Sequence, residues 1–205
     1  MTVLVRPMAA DRWADLEHVF AARARRADSC WCQRFRAHEH RNNRAALGQE
    51  VATTTEAIGL LGYINDEPVG WTRVQPRTSL PGITGNRALE QLLDDDQHAW
   101  WVTCFVVRRE YRGRGVGEEL LLAAVDWARD HGGSVLDGHP VDVAALKATP
   151  APSAVFTGTL AMFAHAGFTE VGRTFASRPV MRRLLKGMVD SDARPGGRGH
   201  QRRSD

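Results

Sequence analysis

The chain has 205 residues, 43% of them hydrophobic and 25% charged, with a net charge of +3 and a pI near 9.0. That length fits one domain of ~150 residues or more with a tail, large enough to bury a core without disulfides or metal. Three cysteines, Cys30, Cys32 and Cys104, do not read as a disulfide framework. The N-terminus has no apolar signal core, and no apolar run approaches the ~18 residues that cross a bilayer. A cytoplasmic protein with no membrane partner is therefore expected. Arginine is favoured over lysine, a bias that points to a GC-rich bacterial genome. The mild positive balance suits an anionic small ligand as well as nucleic acid and does not choose between them.

In chain order, Thr2 to Pro7 alternates and reads as a strand ending at proline. Asp11 is placed to cap a helix starting at Arg12, with Trp13, Leu16, Val19 and Phe20 on one face. A second helix is predicted from Asn43 to about Thr53. Ala57 to Ile64 and Pro68 to Val74 read as a hairpin about Asn65-Asp66-Glu67. Gln75 to Gly85 reads as loop, Leu89 to Leu93 as a short helix, and Asp94 to Asp96 form an acidic cluster. Trp100 to Val107 is the central strand. Val116 to His131 is a helix with Leu120, Leu121, Ala124, Val125 and Ala128 on one face, ended by Gly132-Gly133. Ser134 to Leu136 is a short strand and Asp137 to Pro152 mostly loop. Thr157 to His165 is a helix closed by Gly167, and Thr169 to Arg173 with Pro179 to Leu185 make a last hairpin. Residues 187–205 have almost no apolar content and read as a disordered tail after a domain of residues 1–186.

Between the central strand and the long helix lies Arg112-Gly113-Arg114-Gly115-Val116-Gly117. The glycines let the backbone turn its N–H groups inward, the helix start adds its positive end, and the arginines can pair a phosphate. A pyrophosphate fits such a cradle. There is no Lys-Ser or Lys-Thr of a P-loop, and the G-x-G-x-G spacing is not the dinucleotide fingerprint.

Val106-Val107, Tyr111 to Gly117 and the amphipathic helix resemble motif A of the GCN5-related N-acetyltransferases, R/Q-x-x-G-x-G/A, here Arg112-x-x-Gly115-x-Gly117. Ala166-Gly167-Phe168 resembles that family's C-terminal x-G-F signature, and the order of elements from Thr2 to Leu185 agrees. The resemblance implies an α/β acyl-CoA N-acyltransferase fold. Its sheet is mixed and mostly antiparallel, flanked by helices, with a parallel central strand pair splayed around the coenzyme. It implies acetyl-CoA as co-substrate, with no metal. The pyrophosphate would lie on Arg112, Gly113, Arg114, Gly115, Val116 and Gly117. The pantetheine arm would pair with backbone of Phe105, Val106 and Val107, and the thioester would meet the acceptor near Thr103 to Phe105.

The implied activity is transfer of acetyl from acetyl-CoA to a primary amine by direct attack in a ternary complex. The acceptor is a small amine or hydrazide-type molecule, or a protein lysine. The family's usual tyrosine four residues before the glycine of x-G-F is Phe163 here, and the central strand carries Val102, Thr103 and Cys104 where a glutamate is common. Neither usual acid nor base carries over. The substitutes on offer are Cys104, near the expected thioester, His139, after the short strand beside Asp137, and Ser153, with Thr157 and Thr159. Against them stand a buried structural cysteine, a loop histidine and helix N-caps. His165 reads as a surface histidine.

Cys30-Trp31-Cys32 with His38 and His40 lacks the usual zinc spacing, and core packing or lining of the acceptor site is the better reading. Trp31, Phe35, Trp71, Trp100 and Trp101 offer either an aromatic wall or ordinary core. Asp94 to Asp96 offer attraction for a cationic acceptor or a solvated loop. With both acid/base residues missing, the alternative function is an acetyl-CoA-binding regulatory or sensor module. Nucleic acid is not expected as a partner, because the tail arginines are offset by aspartates and no recognition motif occurs. The expected state is monomer or homodimer.

Overall fold

Seven strands form one sheet in the order β1-β2-β3-β4-β5-β7-β6. The computed structural model describes residues 2–20, 31, 33, 35–36, 42–151 and 153–185. The strands are β1 (Leu4–Pro7), β2 (Gly59–Ile64), β3 (Glu67–Pro76), β4 (Ala99–Val107), β5 (Val135–Gly138), β6 (Thr169–Phe175) and β7 (Arg178–Leu184). The helices are α1 (Trp13–Phe20), α2 (Asn43–Thr53), α3 (Pro81–Thr84), α4 (Arg87–Glu90), α5 (Val116–Asp130) and α6 (Leu160–His165). Every strand pair is antiparallel except β4 with β5. That exception follows from the single helix, α5, that returns the chain to the sheet between them.

Local chemistry explains most of these elements. Asn65 and Asp66 both take positive φ, 49° and 63°, the tight two-residue turn that matches the twist of β2 and β3. Asn42 caps α2 through its side chain, which accepts from Ala45 N at 3.0 Å. Thr159 caps α6, and Gly167, at φ 79°, ends it. Asp11 does not cap the first helix: it lies inside a 3₁₀ turn, Ala10–Arg12, that leads into α1. The stretch from Gln75 to Gly85 is not simply loop. β3 runs on to Pro76, a 3₁₀ turn covers Arg77–Ser79, and Pro81 opens α3, a first-turn position where its missing N–H costs nothing.

One face of the sheet packs on α5 and α6 through Leu60, Val69, Trp100, Val102, Phe105, Leu120, Leu121, Ala124, Leu136 and Phe163. On the other, α1 and α2 cover Leu61, Tyr63, Trp71, Cys104 and Val106. A smaller cluster joins Phe35, Leu80, Ile83, Leu89, Trp101 and Val180. The five aromatic residues offered as a wall are thus distributed over three core clusters. Trp31 stacks on Phe20, with ring centroids 4.3 Å apart. Cys30, Cys32, His38 and His40 lie outside the described residues, as do residues 187–205.

Candidate active site

The turn before α5 presents an unusual run of free backbone. Gly113 and Gly115 take φ of 71° and 80°, and a Cβ on either would meet nothing within 4 Å. Among the described residues, no N–H from Gly113 to Gly117 makes a close hydrogen bond to the protein, the turn over residues 112–115 being closed only by a looser contact, and no side chain caps α5. Five consecutive free amides, two at left-handed glycines, at the positive end of a 15-residue helix make an anion-binding concavity.

The walls of this turn are braced from neighbouring elements. Arg108 bonds Glu67, the first residue of β3, at 2.5 Å, and Tyr111 donates to the same carboxylate. The Arg114 guanidinium lies over the Tyr111 ring, 5.6 Å from its centroid. Arg112 is exposed and bonds back to Val107 O at 3.1 Å. On the inner side Val116 is buried, and Gly117 lets α5 approach α6, where an added Cβ would lie 3.2 Å from Met162 Sδ.

β4 and β5 pair only at their bases, from Ala99–Val135 to Val102–Gly138. Beyond that the strands part. The gap is occupied by the protein itself: Phe105 N donates to Phe156 O at 2.6 Å, and on the other side Val141 N donates to Gly158 O at 3.0 Å. Residues Phe156 to Leu160 thus form a wedge between β4 and the chain that leaves β5. The Phe105 amide, expected to face a ligand, is engaged in this state.

At the apex of the gap β4 carries a bulge. Val102 pairs with Val74 and Cys104 with Arg73, so Thr103 is the extra residue. Thr72 Oγ1 donates to Cys104 O at 2.9 Å, which helps to hold the distortion.

Two buried ion networks, invisible to motif reading, flank this region. Arg73 is fully buried, and its guanidinium bonds Glu50 at 2.7 and 2.9 Å; Arg36 and Gln33 bond the same carboxylate, each at 2.9 Å. Burial pushes the Glu50 carboxyl up, but Arg73, Gln33 and Arg36 outweigh it and hold it below its ordinary value. Asp137, also fully buried, bonds Arg182 at 2.7 and 2.9 Å and Arg77 at 3.0 Å. Burial pushes its carboxyl up against those cations. Asp94 bonds both arginines, chiefly Arg182, which lowers its pKa to about 2. Asp96 receives Ser134 Oγ. Two members of the acidic cluster therefore brace the sheet. The only sequence signal was an arginine amid the apolar residues of β3.

Of the candidate acid/base residues, His139 and Thr157 are linked through the Arg178 guanidinium, 3.4 Å from His139 Nδ1 and 3.1 Å from Thr157 Oγ1. Cys104 is disulfide-bonded, with its partner outside the described residues, so it carries no free thiol, and one bridge forms where three cysteines did not read as a disulfide framework. His139 is tied to the last hairpin through Thr174 Oγ1 at 2.8 Å and Arg178 O at 3.3 Å. Ser153 is exposed, and Thr157 Oγ1 accepts from Arg178 at 3.1 Å. Phe163 is fully buried against Phe105 and Phe168. Among the described residues no group of three or more His, Cys, Asp or Glu is placed to hold a metal ion, and no helix is long and apolar enough to cross a membrane.

A mixed sheet whose one parallel pair opens beside an amide-rich helix start is the architecture of acyl-CoA N-acyltransferases. The acetyltransferase (GNAT) family model matches residues 15–148, and the chain belongs to that family. It is an N-acetyltransferase that uses acetyl-CoA as co-substrate. Similar solved structures include the GNAT domain of S. lividans PAT, with 17% identity, TM-score 0.57, and 90% of this chain and 92% of that one covered. Another is the aminoglycoside acetyltransferase AAC(6')-Ib in complex with coenzyme A, at 16%, 0.54, 89% and 95%. A third is a ribosomal-protein-alanine N-acetyltransferase from Brucella melitensis, at 17%, 0.53, 89% and 99%. At these identities they show a shared fold. Comparison with curated protein sequences gave no match.

Proposed function

We propose that residues 1–186 form one catalytic domain that moves acetyl from acetyl-CoA to a primary amine by direct attack. The acceptor is a small amine or hydrazide-type molecule, or a protein lysine. The observation that carries the reading is the run of free amides from Gly113 to Gly117, opening beside the parted strands β4 and β5. Arg112 and Arg114 add charge for the pyrophosphate. The backbone of Phe105, Val106 and Val107 takes the pantetheine arm, which claims the Phe105 amide from Phe156.

The chemistry needs little more than positioning. The amine must be unprotonated, and a free alkylamine has a pKa of ~10.4, so its proton leaves to water or buffer before attack. Nitrogen adds to the carbonyl carbon, the carbon–sulfur bond breaks, the thiolate departs with the electron pair, and the surplus proton left on nitrogen passes to solvent, from which the thiolate can take one. Holding the two reactants in line supplies much of the rate. Neither Phe163 nor disulfide-bonded Cys104 exchanges a proton in this scheme.

An aminoglycoside acetyltransferase and a ribosomal-protein-alanine N-acetyltransferase share this fold, so the fold does not choose between a small amine and a protein amine. Thiol release from acetyl-CoA, measured with a panel of aminoglycosides, diamines, hydrazides and lysine peptides, tests the proposal. Release that depends on one of these amines supports it. Tight acetyl-CoA binding with no release above the amine-free rate contradicts it and favours a sensor.

A further inference from the structure

Among the described residues, four buried side-chain polar atoms have no hydrogen-bond partner: the indole nitrogens of Trp31, Trp101 and Trp127, and Oγ1 of Thr103. The threonine oxygen stands apart by position. Thr103 is 3% exposed, is the extra residue of the β4 bulge, and is the first residue past the last β4–β5 pair. It therefore stands at the apex of the V in which the two strands separate. A buried hydroxyl without a partner disfavours folding, and valine, of nearly the same shape, would avoid that cost.

The surroundings restrict what the hydroxyl can meet. The buried carboxylates Glu50 and Asp137 are each held by two arginines. An ammonium lodged against Thr103 would have no counter-charge of its own. A neutral acceptor of one hydrogen bond suits the site. The thioester carbonyl is such a group, and the coenzyme reading above, on which this inference rests, brings it to this part of β4.

We propose that Thr103 Oγ1 donates a hydrogen bond to the carbonyl oxygen of the acetyl thioester. The bond fixes the acetyl group at the apex of the gap. It strengthens when the amine adds and the carbonyl electron pair moves onto oxygen, and it relaxes when that pair returns and the carbon–sulfur bond breaks. The hydroxyl keeps its proton throughout. With Phe163 unable to donate, the strand supplies a side-chain donor that α6 does not.

Titration calorimetry of wild type, Thr103→Val and Thr103→Ser with acetyl-CoA and with free CoA tests this assignment. Thr103→Val is expected to bind acetyl-CoA about tenfold more weakly, the effect of one hydrogen bond. Its affinity for CoA, which has no carbonyl at this position, and its melting temperature should not fall. Thr103→Ser should keep the wild-type preference. Equal weakening of both ligands, or no weakening of acetyl-CoA, overturns the proposal. If the valine variant does not fold, the infrared carbonyl band of isotope-labelled acetyl-CoA on the wild type decides. A band at the free-ligand frequency overturns the proposal, and a downshift that Thr103→Ser retains supports it. If the wild type binds neither acetyl-CoA nor CoA, the coenzyme reading fails and takes this assignment with it.

Discussion

Arg73 shows how much a single side chain can hide from sequence reading. In Gly-Trp-Thr-Arg-Val-Gln it looks like one charge on an apolar strand, yet it is fully buried and its counter-ion comes from α2. A buried guanidinium is tolerable only while paired. Glu50→Gln removes the pair and is expected to cost about 3 kcal/mol, read as a fall in the urea midpoint at unchanged slope. A loss below about 1 kcal/mol, the range of exposed pairs, would mean that the network is solvated. Residues whose role is local were legible. Thr159 caps a helix, Gly167 ends one, and Gly113 and Gly115 hold left-handed backbone. Residues whose role depends on a partner far along the chain were not. Asp137, His139 and Cys104 each drew attention for chemistry and turned out to be bonded elsewhere.

Periodicity decided which elements could be read. β4 is a continuous apolar and β-branched run and α5 an uninterrupted pattern of 3.6 residues, and the structure holds both within one or two residues of the predicted limits. Pro76 and Pro81 looked like breakers of one long loop, but they mark a strand end and a helix start, where proline is at home. The wedge Phe156–Leu160 departs from the sequence reading: the helix expected from Thr157 begins only at Leu160, because the residues before it fill the tertiary gap and bond β4 through Phe156 O. Coenzyme that pairs with β4 must dislodge it. Hydrogen exchange should show residues 153–158 exchanging at least about tenfold faster when acetyl-CoA is bound, while β4 stays protected. Unchanged exchange in the wedge would mean that the arm takes another path.

At the scale of the molecule, one crossover organises the sheet. Because α5 alone returns the chain in parallel, β4 and β5 are joined at one end and free to diverge at the other. The same helix begins at the amide-rich turn, so the anion site and the gap share one connection. The strand–turn–helix order made this much legible, whereas the placement of β7 between β5 and β6, and the ion pairs across it, needed the structure. The central claim is that this turn holds the coenzyme. Gly115 sits at φ 80°, where a side chain strains the turn but would meet no core atom, and Arg112 is exposed, so neither change reaches the core. Titration of the Arg112→Ala, Gly115→Asp double variant with acetyl-CoA is the direct measurement. Loss of an arginine–phosphate contact together with a carboxylate placed among the free amides should raise Kd by at least about 100-fold, with the circular dichroism spectrum unchanged. An affinity equal to the wild type's would contradict the account.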